Sequence, residues 1–197
     1  MQNPVTELVL NPLKVPAKDF MRIFAEKLEP TLLAQPGAIC TLTGIVLDTE
    51  NRQTPFAISI TLWENLDAHQ AFLESPAAQP FFEAVTPLLV DKPTIEHYHL
   101  GQLHPSALKS SHAWIHKLPT ADDHGYRGTC ENHIQKHGKG MAMTGDCIEI
   151  PSQRLIIMFN NQPQSNSPLD KYINSDRVES LRVAWQRMGT RKIAENL

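Results

Sequence analysis

The same order of elements recurs along this chain at an offset of about 100 residues, and that recurrence restricts the fold more than any single motif. Val5–Leu10 is β-prone and ends at Asn11-Pro12, which with Pro16 cannot continue a ladder. Ala17–Leu28 sets Phe20, Ile23, Phe24 and Leu28 on one helical face, and Pro30 breaks that helix or opens a short second turn. Pro36-Gly37 is a stop signal. Ala38–Leu47 and Phe56–Trp63 read as hairpin strands joined by the polar, Pro-containing Asp48–Pro55. Asn65 or Asp67 caps a helix over Ala68–Glu74, and Ser75-Pro76 opens another to about Leu89. A strand over Lys92–Leu100 completes a β-α-β-β-α-β series.

After His104-Pro105-Ser106 the series starts again. Ser111–Leu118 is a strand, and Arg127–His137 a helix capped by Asp122, Asp123 and His124. Met141–Ile150 and Arg154–Asn160 form a hairpin about Pro151-Ser152. Past the polar loop Gln162–Pro168, helices are expected over Leu169–Asn174 and Ser175–Met188, with a last strand at Lys192–Leu197. Gly37 and Gly138 each precede a hairpin, and Ser75 and Ser175 each open a helix. The fold class expected is α+β: two tandem units, 1–103 and 104–197, each an antiparallel sheet with helices on one face. A unit of about 100 residues buries too little surface to be comfortable alone. The two bare sheet faces are therefore expected to cover each other.

The chain of 197 residues is 41% hydrophobic and 20% charged, with a net charge of −3, which leaves no electrostatic footprint for nucleic acid or an anionic membrane. No apolar run approaches the ~20 residues of a membrane helix. The opening Met-Gln-Asn-Pro-Val-Thr-Glu has no secretory pattern. Cys40, Cys130 and Cys147 form no C-x-x-C pair and are expected as reduced thiols in a cytoplasmic protein. No P-loop, G-x-G-x-x-G or G-x-S-x-G is present.

Nine histidines, most of them in two clusters, are the chemical signal, because imidazole trades protons near neutral pH. His97 and His99 share one face of their strand with Ile95. His112, Trp114 and His116 share a face of the first strand of the second unit, a pattern for a pocket wall or a wet sheet face. In Phe56–Trp63, Phe56, Ile58, Ile60 and Leu62 alternate with Ala57, Ser59, Thr61 and Trp63. The first set seeks a core; the second is small and polar except for Trp63. Trp63 offers a rigid plane for a flat substrate or a packing anchor. His133 and His137, spaced i,i+4 among Lys136, Lys139 and Arg127, are expected on a solvated basic face and not around a metal.

The stretch from Thr61 to Pro76 resembles the antibiotic biosynthesis monooxygenase family, through Trp63, Ala68, His69, Phe72, Ser75 and Pro76. Pro36-Gly37 and the strand Ile95-Glu-His97-Tyr-His99 also look like that family. In the second unit the likeness is topological: no Trp corresponds to Trp63, and Leu169 stands near the place of His69. The resemblance implies ferredoxin-like units of the dimeric α+β barrel superfamily, here paired as an intramolecular pseudo-dimer, with a homodimer of pseudo-dimers possible. It implies a secondary-metabolism enzyme acting on a hydrophobic polyketide- or terpenoid-type molecule, without metal or flavin. Monooxygenation is the family activity; cyclisation, isomerisation, decarboxylation and non-catalytic ligand binding remain open. The residues expected to carry chemistry are His116, His112 and His69 for proton transfer. Trp63, Trp114, His97, His99, Ser59 and Thr61 are expected to hold the substrate.

Overall fold

The computed structural model describes residues 4–47, 54–120, 126–162, 167, 169 and 179–190. The first half runs β1 (Val5–Pro12), α1 (Ala17–Ile23), a wide π turn (Phe24–Leu28), α2 (Glu29–Leu33), β2 (Ala38–Val46), β3 (Phe56–Trp63), α3 (Leu66–Leu73), α4 (Ala78–Val85), a 3-10 turn (Thr86–Leu88) and β4 (Thr94–Tyr98). The second half runs α5 (Pro105–Leu108), β5 (His112–Pro119), α6 (Tyr126–His137), β6 (Ala142–Asp146), β7 (Gln153–Asn160) and β8 (Glu179–Thr190).

These strands form one antiparallel sheet in the order β4-β1-β3-β2-β8-β5-β7-β6. The first four and the last four repeat one order, with β8 in the place of β4, β5 of β1, β7 of β3 and β6 of β2. The halves meet at two equivalent seams. At one, β2 pairs with β8 from Cys40↔Thr190 to Val46↔Val183. At the other, Tyr98 at the end of β4 bridges Cys147 just after β6. There Ile148 N–H donates to His97 O at 2.8 Å and His99 N–H to Asp146 O at 3.2 Å. The sheet is thereby closed into a barrel. The units are not two stacked sheets; they join edge to edge, which satisfies backbone groups that an open edge would leave bare. The bare faces still cover each other, across the barrel interior.

That interior is filled. Leu8, Leu42, Ile58 and Ile60 from the first half meet Ile115, Leu155, Ile157 and Val183 from the second in one apolar cluster. A polar clamp crosses it near the β4–β6 seam: Lys117 Nζ lies 2.7 Å from Glu96 Oε2, Tyr98 O–H donates to that oxygen at 2.7 Å, and Gln153 Nε2 donates to Tyr98 Oη at 2.6 Å. Burial and the Glu96 carboxylate raise the Tyr98 pKa far above its usual value, so the phenol stays protonated. Gly44 in β2 and Gly145 in β6 occupy equivalent seams. A Cβ on Gly44 would stand 2.5 Å from Ala184 O, and one on Gly145 2.1 Å from His99 O.

Three stretches differ from expectation. α4 begins at Ala78 without a side-chain cap, past Ser75-Pro76, and the linker at His104-Pro105-Ser106 opens α5. The region read as a helix over Ser175–Met188 is a strand from Glu179 onward. Leu181 and Val183 point into the core and alternate with Ser180, Arg182 and Ala184, a period of two that outweighs local helical preference. Ser175, the expected helix start, lies outside the described residues, and the repeat rests on strand order. Residues 48–53, the proposed cap at Asp122, Asp123 and His124, the stretch 170–178 and the strand at Lys192–Leu197 lie outside the described residues. Cys40, Cys130 and Cys147 are buried. Among the described residues no helix is long and apolar enough to cross a membrane.

Candidate active site

The outer face of the first-half sheet carries the polar side chains that the barrel interior excludes. Register aligns them: His97 pairs with Glu7, Glu7 with Thr61, and Thr61 with Thr41, one row across β4, β1, β3 and β2. The next row holds Val9 opposite Ser59, and Asn11 Nδ2 donates to Ser59 Oγ at 3.4 Å. Above this floor the helices present an apolar roof. Phe20, Phe24, Leu28 and Leu32, each four residues from the last, come from the continuous helical run through the π turn. Phe72 of α3 and Phe81 and Phe82 of α4 close it.

Between floor and roof lies a cavity of about 500 Å³, a size that suits one drug-sized molecule. Glu7, Asn11, Ser59, Thr61, His69 and His97 are its polar lining on floor and wall. Lys92, Pro93 and the exposed Ile95 stand at its mouth.

His69 enters from α3. Asn65 Oδ1 accepts from Ala68 N–H at 2.8 Å, which fixes the start of the helix and turns His69 and Phe72 inward. Gly37, with φ of +81°, lets the preceding turn pass α3 so closely that a Cβ would meet Ala68 Cβ at 2.4 Å. Trp63 then wedges behind the helix, its ring stacked on Phe72 at 5.9 Å and 5.2 Å from the His69 ring.

The site is a hydrogen-bonded chain. Glu149 Oε1 contacts His97 Nδ1 at 2.5 Å, His97 Nε2 contacts His69 Nδ1 at 2.9 Å, and His69 Nε2 lies 3.4 Å from Glu7 Oε1. Glu7 Oε2 accepts the Trp63 indole N–H at 2.8 Å. Glu7, His69 and His97 are buried, whereas Glu149 is exposed. Burial lowers the His69 pKa against the opposing pull of Glu7, favouring neutral imidazole. Burial also opposes ionisation of Glu149, but hydrogen bonds from the His97 backbone and ring prevail and hold its carboxyl down to about 2. Three contacts link these four groups; with both imidazoles neutral there are two ring N–H groups. In that state one contact lacks a hydrogen, and the chain has room for one more proton.

Glu7, His69 and His97 also place ligand-type atoms within 4.8 Å of one another. Opposite nitrogens of His69 face the two neighbours, Nδ1 toward His97 and Nε2 toward Glu7. The His69–His97 spacing of 2.9 Å is that of a hydrogen bond, the spacing of a proton chain.

No protein-family model matches the sequence, and no curated protein does. Solved structures match over the whole length. A candidate monooxygenase of Fusobacterium nucleatum is 7% identical, with 96% of this chain and 95% of that chain covered and a TM-score of 0.68. A candidate monooxygenase of Lactobacillus acidophilus is 12% identical, with 96% and 97% covered and a TM-score of 0.62. An anthrone oxidase-like protein is 9% identical, with 100% and 98% covered and a TM-score of 0.61. This chain has the tandem dimeric α+β barrel fold. The resemblance carried by Trp63, His69 and Ser75-Pro76 points to the same fold.

In this tandem barrel the residues singled out by sequence divide between two places. Ser59, Thr61, His69 and His97 line the first-half cavity together. Trp63 has no exposure and is absent from the lining; it acts on the cavity through Glu7. His99 is exposed past the end of β4. The other three lie on the outer face of β5. His112 is half-buried and contacts Ser111 Oγ at 2.8 Å. Trp114 packs against Leu118, Tyr126 and Met158, with the Arg182 guanidinium over its ring. His116 is fully buried between Ser180 Oγ at 2.8 Å and Ser167 Oγ at 2.9 Å, and burial pulls its pKa down to about 4. His133 is not on a solvated face; it is buried and donates from Nε2 to Phe159 O at 2.9 Å, because the inner side of α6 packs on β7.

Sequence reasoning missed Glu7 and Glu149. Glu7 left a trace, a lone charge inside the apolar run Val5–Leu10. Glu149 left none, since only the β4–β6 seam brings it to His97.

Proposed function

We propose that this tandem barrel is an oxygenase that works without metal or flavin on a hydrophobic polyketide- or terpenoid-type molecule with an acidic C–H or phenolic O–H. The observation that carries the reading is the His69–His97 pair, hydrogen-bonded at 2.9 Å in the wall of an otherwise apolar cavity. The names of the whole-length structural neighbours, candidate monooxygenases and an anthrone oxidase-like protein, point the same way.

The aromatic roof holds a flat substrate over the sheet, and Asn11, Ser59 and Thr61 offer hydrogen bonds to its oxygens. His69, neutral because it is buried, takes the substrate proton and becomes imidazolium, stabilised by Glu7. The electron-rich anion left behind adds to dioxygen, forming a C–O bond. The imidazolium returns its proton to the outer peroxide oxygen. Loss of water from the hydroperoxide, with the second hydrogen of that carbon, leaves a carbonyl: one oxygen atom enters the product, the other leaves as water. The substrate supplies all the electrons.

The same pair serves proton transfer without oxygen, as in a cyclase, isomerase or decarboxylase. Oxygen-electrode measurements against a panel of anthrones, hydroxynaphthalenes and polyenes decide between them. The oxygenase reading expects one O₂ consumed per product and loss of turnover in His69→Gln. Product formed at the same rate under strict anaerobiosis overturns it.

A further inference from the structure

We infer that the second half of the chain completes the first-half site through Glu149, a positioning residue that sets which nitrogen of each histidine carries the hydrogen. The inference rests on the proton-transfer role given above to His69.

Glu149 follows β6 and reaches the site only because β6 joins β4 at the seam. There it grips a single residue with both oxygens. Oε2 accepts the His97 backbone N–H at 3.0 Å, and Oε1 lies against His97 Nδ1 at 2.5 Å. The Cys147 thiol donates to Oε2 at 3.3 Å. An ionised carboxylate offers acceptors alone, so His97 Nδ1 must carry hydrogen. His97 Nε2 then has a lone pair and accepts from His69 Nδ1–H. His69 Nε2 is left bare, toward Glu7, and both residues line the cavity. The missing hydrogen of the chain is thus placed at the end where substrate binds, and the base is set before substrate arrives.

The opposite arrangement would put hydrogen on Nε2 of both rings and tie His69 Nε2–H to Glu7, blocking the base. Glu149→Gln selects it. The His97 backbone N–H still requires an oxygen, so the single amide oxygen goes there and the NH₂ faces His97 Nδ1. Nδ1 must then accept, and both rings exchange tautomers.

The test needs no substrate. Protein labelled with ¹⁵N at histidine is observed by long-range ¹H–¹⁵N correlation at about pH 8, where imidazoles are neutral. His97→Asn and His69→Gln assign the two rings. Wild type is expected to show both as Nδ1–H, Glu149→Asp to keep that pattern, and Glu149→Gln to convert both to Nε2–H. In turnover, Glu149→Gln should lower kcat on the order of tenfold or more with little change in KM. Nε2–H signals in wild type, or Nδ1–H signals surviving in Glu149→Gln, overturn the inference. Failure to find an oxygen-consuming substrate overturns the proposed function and leaves the tautomer result to stand by itself.

Discussion

Trp63 donates its indole N–H to Glu7 Oε2 over 2.8 Å from a position with no solvent exposure. The tryptophan thus belongs to the framework behind the cavity, and its influence on the cavity passes through one carboxylate. Trp63→Phe keeps most of the packing and removes the donor. It should cost about 1–3 kcal/mol, because Glu7 loses a buried partner. Trp63→Ala should cost about 3–5 kcal/mol from the void left against Phe72. Urea denaturation measures both; a Trp63→Ala protein as stable as wild type would mean that this indole is a substrate platform after all.

Activity should depend on pH through His69. Burial holds its imidazole below the ordinary value of 6.5, so the base stays available as pH falls through that value. The acid limb of kcat/KM should therefore lie below 6.5. His69→Gln should lower kcat by about 10²-fold or more and abolish that limb. The profile of kcat/KM against pH, with circular dichroism to confirm folding, checks it.

His116 should act on stability and not on turnover. Its folded value of about 4 lies below the ordinary 6.5, so in that window the unfolded chain binds a proton that the folded chain refuses. Stability from this group is complete above 6.5 and lost as pH falls toward 4, about 3 kcal/mol in all. His116→Gln should be less stable at neutral pH and lose less on acidification. Parallel unfolding curves of the two proteins from pH 7 to pH 4 would contradict this.

The seams should be intolerant of a single methyl group. Gly44→Ala meets Ala184 O, and Gly145→Ala meets the backbone of His99. Each should lose about 1–3 kcal/mol or more, since backbone must shift. Gly128→Ala in α6 meets nothing within 4 Å. It should be neutral or gain about 0.5–1 kcal/mol of helix stability. Thermal melts rank the three, and equal effects would refute the close-approach argument.

The clamp inside the barrel should show strong coupling. Lys117→Met leaves Glu96 nearly buried without its cation and should cost about 3–5 kcal/mol. Adding Glu96→Leu should recover much of that loss. A double-mutant cycle measures the coupling; additive losses would mean that the pair contributes nothing beyond packing.

The first half was legible because its signals are local. Alternation in Phe56–Trp63 separates the barrel face from the cavity face, and Asn65 with the helix spacing turns His69 inward. Alternation brought Ser59 and Thr61 to notice, the resemblance of the Thr61–Pro76 stretch brought His69, and alternation in the last strand added His97. The repeat was legible too, although its last strand was not: Ser175–Met188 reads as a helix until β2 and β5 claim Glu179–Thr190 as a strand. His116 and Trp114 show the limit most plainly. A histidine on an alternating strand looks the same whether α6 buries it or a cavity opens before it. Only tertiary structure decided that the usable hollow lies under the first-half helices, that Trp63 stands behind its wall, and that Glu149 arrives from the other half. Sequence periodicity fixes which face a side chain takes, within a few residues. Which surfaces then meet depends on contacts between segments 50 or more positions apart, such as Glu149 with His97, and no local pattern encodes those.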